Sequence, residues 1–465
     1  MLDKRSLGFE LGKALSGALQ PNKLNRSLYV TLADGQPIWL GSSPESFVRD
    51  AYSYNPDVYS IVKMIARAAS AVPWVLHEVT NQKSYQKYRR MPSEMKRHNL
   101  ARVITQKEMA MEEVEDGHPL YELLQRPNPY MGMAEFFESV VGFKLITGNS
   151  YVHGVRIENG ADKGKFGELW VMPAQLVEII ASNDPEHVVR GYKLNWYKGV
   201  EAFEIPADEV MHMKYFNPNY QSAGEHLYGM SPLQAARRVV TRSNEAYTAN
   251  AKMLKNMSPP GILMLDDDNV DFTPEQASQL EKQWSQKIGS EKAGKVMVSG
   301  AKLKWQALGL SPVDLNIIES QKMDLRDICN VYGISSELLN DPDNKTNANK
   351  RESRMALYYE TVIPELDLIR DELNRWLVPA FETDGKKYHL DYDIASIPAL
   401  QADLEKQTKQ LADAWWITGN EKRMLQGYDT RDELDSIFIP SNLVPWTGDV
   451  DLAEAMKGLP ADYAK

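Results

Sequence analysis

The chain has 465 residues, 43% apolar and 25% charged, the balance of a globular protein too long for one ordinary core. Its net charge of −11 excludes a conventional DNA binder that neutralises phosphates over a broad basic surface. A single cysteine, Cys329, excludes an intrachain disulfide framework and an all-cysteine metal site.

In chain order, residues 1 to about 50 show no clear period beyond a strand signal at 27–32, and read as an arm. Asn55-Pro56 opens a helix whose apolar residues Val58, Ile61, Val62, Ile65, Ala69 and Val72 share one face. Pro73 ends it, and a strand follows over 74–78. Residues 80–115 are charged and methionine-rich, with weak periodicity. His118-Pro119 opens a short helix that Pro127 and Pro129 break. A second helix carries Phe136, Phe137, Val140, Val141, Leu145 and Ile146 and stops at Gly148-Asn149. Strands are expected over 150–156, 168–172, 177–180, 192–197 and 210–215. Residues 51–225 therefore read as an α+β lobe with a mostly antiparallel sheet.

Ser231 caps the next helix, with Pro232 at its first position, and the helix is predicted to run to about Met257, about 40 Å. Its large apolar residues Leu233, Val240, Tyr247 and Leu254 recur every seven. Such a narrow stripe suits a thin wall better than a globular core. Residues 261–308 read as a compact unit with strands at 262–265, 295–298 and 302–306 and a helix at 274–288. A second capped helix begins at Ser311-Pro312, carries Leu315, Ile318, Leu325, Ile328 and Tyr332, and ends near Gly333. Cys329 falls in this apolar pattern and reads as a buried, inert thiol. The run 340–350 has no large apolar residue and is expected to be an exposed loop. The helix after it carries Met355, Tyr359, Val362, Leu366, Ile369, Leu373 and Trp376, with a kink predicted at Pro364. A strand over 388–394, a helix over 399–417 and a capping box at Thr418 and Glu421 complete the pattern. Trp415 and Trp416 are adjacent on a helix, so one is expected in the core and the other at a contact.

No stretch approaches the roughly 18 apolar residues of a membrane span. The N-terminus lacks a signal peptide's apolar core, so a cytoplasmic protein is expected. There is no GxxxxGK[ST], HExxH, GxSxG or GxGxxG motif, and no pair of histidines at zinc-ligand spacing. Asp266, Asp267, Asp268 and Asp271 lack the glycine and distal glutamate of a calcium loop, and read as a solvated turn in preference to a metal site. A nuclease or other hydrolase would need convergent carboxylates or a nucleophile–base set, and neither is found. No catalytic residue, cofactor or metal is expected.

Six phrases then stand together in order. They are Asn55-Pro56, the stretch from His118-Pro119-Leu120 to Pro127-Asn128, Thr147-Gly148-Asn149-Ser150-Tyr151, Leu227-Tyr228-Gly229-Met230-Ser231-Pro232-Leu233, the stretch from Tyr332-Gly333-Ile334-Ser335 to Leu339, and Trp416-Ile417-Thr418-Gly419-Asn420-Glu421. In this order, over residues 50–450, they resemble the portal proteins of long-tailed bacteriophages. The resemblance implies an α+β portal fold with wing, stem, clip and crown, in a ring-forming structural subunit without enzymatic activity. The chain would divide into an arm (1–50), the first part of the wing (51–229), a first stem helix (230–257), a clip (258–309), a second stem helix (310–336), a tunnel loop (337–350), a kinked wing helix with return strand (351–397), and a crown with C-terminal tail (398–465). Residues 80–115 depart from the pattern by their length and charge, 1–45 have no clear counterpart, and 425–465 are acidic.

The resemblance further implies a ring, usually of twelve subunits, at one capsid vertex of the virion, assembled in the host cytoplasm. Double-stranded DNA would pass through it during packaging and ejection without sequence specificity. The large terminase and then a head–tail adaptor would dock on the clip. Major capsid and scaffold proteins would be neighbours, and no membrane is involved. An acidic channel fits this task, because a tunnel that bound phosphates tightly would stall translocation. Asn344, Lys345, Thr346, Asn347, Asn349 and Lys350 are the expected DNA-facing residues of the tunnel loop; an ordinary solvated loop is the alternative. Arg237, Arg238, Arg242, Lys252 and Lys255 of the first stem helix would face DNA or pair with acids of the next subunit. Lys282, Lys287, Lys292, Lys302 and Lys304 are candidate clip contacts for terminase or adaptor, or else a solvated face. The rival structural reading is another head–tail connector or a minor capsid protein.

Overall fold

The computed structural model describes residues 43–435 apart from 92–99, 115–116, 183, 185, 197–200, 221–223, 257–260, 266–272, 276–277, 280, 283–302, 308–316, 340, 342–346, 383–384, 402–408, 411–412, 415 and 426–429. Helix α1 (Pro56–Ser70) starts where its cap dictates: the Asn55 side chain accepts from the N–H groups of Asp57 and Val58. Its predicted face is buried. Strand β1 (Trp74–Val79) follows. The weakly periodic stretch after it holds α2 (Gln82–Arg89), α3 (Leu100–Glu108) and the short β2 (Met111–Glu113). Next come α4 (Pro119–Gln125) and α5 (Met133–Thr147), which ends on Gly148 at φ 79°.

Six strands succeed α5: β3 (Asn149–Arg156), β4 (Phe166–Met172), β5 (Val177–Ala181), β6 (Val189–Leu194), β7 (Phe203–Pro206) and β8 (Val210–Lys214). Strand β7 was not expected, because it buries Ile205 alone and ends on a proline. After a single capped turn, Pro232–Ala235, the long helix α6 runs over Arg237–Asn256. Strands β9 (Gly261–Leu265) and β10 (Leu303–Ala307) pair antiparallel. Between them, the described residues of 274–282 are helical, and the strand expected at 295–298 lies outside the described residues.

Helix α7 (Ile317–Val331) closes on Gly333 at φ +67°. Helix α8 (Asn347–Ala356) leads through a π-helical turn, Leu357–Val362, into α9 (Ile363–Trp376). The kink expected at Pro364 takes the form of that widened turn. The Ile363 N–H reaches back five residues to the Tyr358 carbonyl, just ahead of the residue that cannot donate. Strand β11 (Tyr388–Tyr392) and helix α10 (Gly419–Leu425) follow. The predicted capping box is present: the Thr418 N–H donates to Glu421 at 2.9 Å, and the Glu421 N–H to Thr418 Oγ1 at 3.0 Å.

The fold divides into two units, residues 1–71 with 122–380 and residues 72–121 with 381–465. In the first, the sheets β4-β3-β8 and β5-β6-β7 are antiparallel throughout. Their inner faces share one core, where the Tyr151 and Tyr192 rings meet at 5.6 Å among Met172, Val177, Leu194, Ile205 and Val210. The opposite face of β3 meets helices. Gly154 lies beneath the Trp376 ring of α9, where a Cβ would come within 2.6 Å.

The second unit corrects the expectation of one lobe over 51–225. Strand β1 joins neither sheet of the first unit. It lies between β11 and β2, with Trp74 opposite Tyr392, Leu76 opposite Leu390 and His77 opposite His389. Matching buried faces set this register, and chain distance does not enter. On the face that carries His77 and His389, Asp391 accepts from the Tyr88 hydroxyl at 2.5 Å and pairs with Lys107 at 3.2 Å.

His77 is buried, and burial followed by the nearby Lys107 cation holds its imidazole down to about 4. In the first unit, burial and then Lys214 hold His212 down to about 3. Both rings are neutral in the fold and charge more readily once unfolded. Their contribution is therefore present above the unfolded pKa of about 6.5 and is lost as pH falls through the folded values. The His77 share is about 3 kcal/mol by the same linkage. Melting curves from pH 7 down to pH 4 should show the second unit losing stability, and His77→Gln should flatten that dependence.

Candidate functional site

The place where the two long helices meet the rest of the first unit is built from backbone that only glycine permits. Helix α5 ends at Gly148, and the chain that will become α6 crosses it at Gly229. A Cβ on Gly229 would lie 2.1 Å from the Gly148 oxygen, and one on Gly148 would lie 2.6 Å from the Met230 carbonyl carbon. Asn149 stitches the crossing. Its Oδ1 accepts from the Gly229 N–H at 2.6 Å and lies 3.1 Å from His212 Nε2. Its Nδ2 donates to the Thr147 and Gly229 carbonyls. Because His212 is held neutral and Asn149 Oδ1 can only accept, the ring proton sits on Nε2. The Ser231 hydroxyl both caps the opening turn of helix, through the Leu233 N–H, and donates to the Ile146 carbonyl at 2.6 Å.

Beneath this crossing lies a buried charge network. Lys144 Nζ meets Glu365 Oε2 at 2.7 Å, the Tyr215 hydroxyl donates to Glu365 Oε1 at 2.6 Å, and the ammonium sits 4.5 Å from the Tyr215 ring centroid. The Lys144 side chain is 1% exposed, so the pair is shielded from solvent. Burial, with the Glu365 charge next, pushes the Tyr215 hydroxyl well above its ordinary range. The returning helix lands on the same turn of α5, where the Tyr332 hydroxyl donates to the Leu145 carbonyl at 3.2 Å. Thr361, in the π-helical turn, donates to the Gly333 carbonyl at 2.7 Å. Asn55, while capping α1, donates to Ser243 Oγ and Asn244 Oδ1 of α6, each at 3.0 Å. The start of α6 and the end of α7 thus share one seat, and the two helices run antiparallel.

Farther along the pair, Arg242 Nε of α6 donates to Asp324 Oδ1 of α7 at 2.6 Å, and its guanidinium lies 3.5 Å from Asp327. Burial raises the Asp324 carboxyl, with the Arg242 bond opposing it. Arg242 is therefore engaged within its own chain. Arg237 is half-buried, Arg238 is exposed, and the side chains of Lys252 and Lys255 lie outside the described residues. Cys329 is buried, and burial pushes its thiol up to about 12, as an inert thiol requires.

The run 340–350 is not loop throughout. Asp341 is 2% exposed, held by Arg326 at 2.7 and 2.9 Å and by the Ser336 hydroxyl at 2.9 Å. A buried carboxylate is stable when fully paired, which a reading based on missing apolar residues cannot foresee. Helix α8 already begins at Asn347, so Asn347, Asn349 and Lys350 belong to its first turn. Asn349 is exposed and Lys350 half-exposed, while Asn344, Lys345 and Thr346 lie outside the described residues. Of the clip lysines, Lys282 is exposed on a helical segment and Lys304 lies in β10; Lys287, Lys292 and Lys302 are outside the described residues, as are Asp266, Asp267, Asp268, Asp271 and Trp415. Trp416 is exposed. Among the described residues, no group of three or more His, Cys, Asp or Glu could hold a metal ion, and no helix is long and apolar enough to cross a membrane.

Sequence reasoning found the phrases around Gly148 and Gly229 without seeing that they are one structure. It missed Lys144, Tyr215, His212 and Glu365 altogether. A lysine inside the apolar run of α5 was the signal available.

A β-sandwich unit that seats two long antiparallel helices on one rigid crossing is a scaffold for presenting those helices. The family described as "Phage portal protein" matches residues 56–427, and the chain belongs to that family. An uncharacterized protein of Rickettsia bellii (strain RML369-C) is 30% identical over 83% of this chain and 90% of its own length. The portal protein of Escherichia phage T5 is 23% identical over 68% of this chain and 73% of its own. Among solved structures, a chain from the neck of the native gene transfer agent particle, computed with C12 symmetry, superposes with a TM-score of 0.58 at 25% identity, covering 85% of this chain and 96% of that one. Portal proteins are structural subunits of phage and phage-like particles, and this chain has their fold.

Proposed function

We propose that this protein forms the portal ring at one vertex of a phage-type capsid and that double-stranded DNA passes through it during packaging and ejection. The observation that carries this reading is the common seat of α6 and α7, which holds two long helices as a rigid antiparallel pair in a chain of the portal family. The twelve-fold symmetry of the matching neck supports a ring of twelve copies joined by head-to-tail contacts. In this reading 230–257 and 310–336 are the stem, 258–309 the clip that receives terminase and then a head–tail adaptor, and 337–350 the tunnel segment. The wing lies on either side of these in the chain, and 398–465 form the crown.

Electron microscopy of the purified chain should show closed rings with a central hole wide enough for a DNA duplex. A protein that stays monomeric at high concentration across several salts would overturn the proposal. Cleavage of DNA by the pure protein with magnesium would overturn its non-enzymatic part. Deleting residues 344–349 should leave rings intact and impair DNA packaging or retention.

A further inference from the structure

We propose that Lys350, Arg351 and Arg354 of α8 form a cationic stripe that holds the phosphate backbone of duplex DNA; the proposal rests on the portal reading above. Residues three and four apart share a face of a helix, so these three side chains lie along one side of α8. The flank of the stripe is tied down: the Ser353 hydroxyl, three residues past Lys350, donates to Glu337 at 2.7 Å, and Leu357, three residues past Arg354, is buried. This anchoring fixes the rotation of α8 about its axis and turns the cations outward. Arg351 and Arg354 are exposed and Lys350 half-exposed.

Several of the chain's other arginines are neutralised within it. Arg49, Arg67, Arg156, Arg242, Arg326, Arg370 and Arg375 each meet a carboxylate of the same chain. Arg351 and Arg354 meet none among the described residues, although Glu352 is a close neighbour in sequence. The stripe itself is wholly cationic, with Met355 and Tyr358 only half-exposed beside it. A protein partner would need apolar or aromatic anchors at the centre of its contact, whereas a phosphate backbone needs only charge and forked donors. Two guanidiniums per subunit, repeated around a ring, offer weak and exchangeable phosphate contacts without reading sequence. The contact surface so defined begins where the predicted tunnel residues end, on rigid helix.

The test measures binding of a short duplex DNA to purified rings as a function of salt. Removing phosphate contacts makes the dependence of log K on log salt shallower by about one unit per contact. Arg351→Gln with Arg354→Gln should lower the slope by at least that much while rings persist, and Arg351→Lys with Arg354→Lys should restore it. The exposed pair Arg126→Gln with Arg190→Gln, which removes the same charge elsewhere, should leave the slope unchanged. An unchanged slope in the α8 glutamine variant, or wild-type rings that bind no duplex at low salt, overturns the stripe. Rings lost with glutamine but kept with lysine would make the stripe a subunit contact and also overturn it. Absence of rings from the wild type is a different failure, that of the portal reading itself.

Discussion

Replacing Gly229 with alanine is expected to destabilise the first unit by about 3 kcal/mol or more, because the added carbon cannot be accommodated by a rotamer change. It would fall 2.1 Å from the Gly148 oxygen and 2.8 Å from the Tyr215 nitrogen, both backbone atoms held by hydrogen bonds. Relief requires the two chain segments to part. That movement strips Asn149 of its bond from the Gly229 N–H and pulls Ser231 from the Ile146 carbonyl. Gly142→Ala is the control. It lies inside α5 with nothing within 4 Å of the new carbon, so it should be neutral or stabilising by up to about 1 kcal/mol. Denaturant melts of the two variants should differ in midpoint in this order. Since the crossing seats α6, Gly229→Ala should also reduce ring formation when measured by sedimentation. Equal stability of the two variants would show that the crossing is not as tight as these contacts require.

The second large effect belongs to Lys144 and Glu365. Lys144→Met leaves a buried carboxylate with the Tyr215 hydroxyl as its remaining partner, and a loss of about 3–5 kcal/mol is expected. Glu365→Gln keeps an acceptor for Tyr215 but strands the buried ammonium, which should be costly for the same reason. Combining the two removes both charges. The double variant should therefore be more stable than the sum of the single losses by about 1–3 kcal/mol. Additivity would mean that the two charges do not stabilise one another. The location makes the pair informative about function as well. Glu365 lies on α9 just past the π-helical turn, and Lys144 lies in the last turn of α5, below the seat of α6 and α7. If this network locks the wing helix to the root of the stem, the single variants should assemble rings poorly even at temperatures where they remain folded.

What was legible in the sequence follows a physical rule. Helix α1, the α5 stop at Gly148, the Ser231 start and the Thr418–Glu421 box were all readable, because caps, prolines and left-handed glycines act within a few residues of the chain. The ordered phrases also identified the family, since they are the residues that meet at the crossing and at the helix ends. The start of the 340–350 run was misjudged for the opposite reason. Its conformation depends on Arg326 and Ser336, residues outside it, which pair with Asp341 and allow the chain to turn inward.

By itself the sequence determined the order of elements, the starts and stops of most helices, the narrow stripe of α6 and membership of the portal family. Only the tertiary structure decided that β1 pairs with β11, that Arg242 is engaged by Asp324, and that Gly148 and Gly229 occupy one point in space. Local signals are set by backbone geometry and by side chains within one turn. Pairing of distant strands, burial of charge and close approach of two backbones depend on which surfaces meet after folding, and no window along the chain contains both partners.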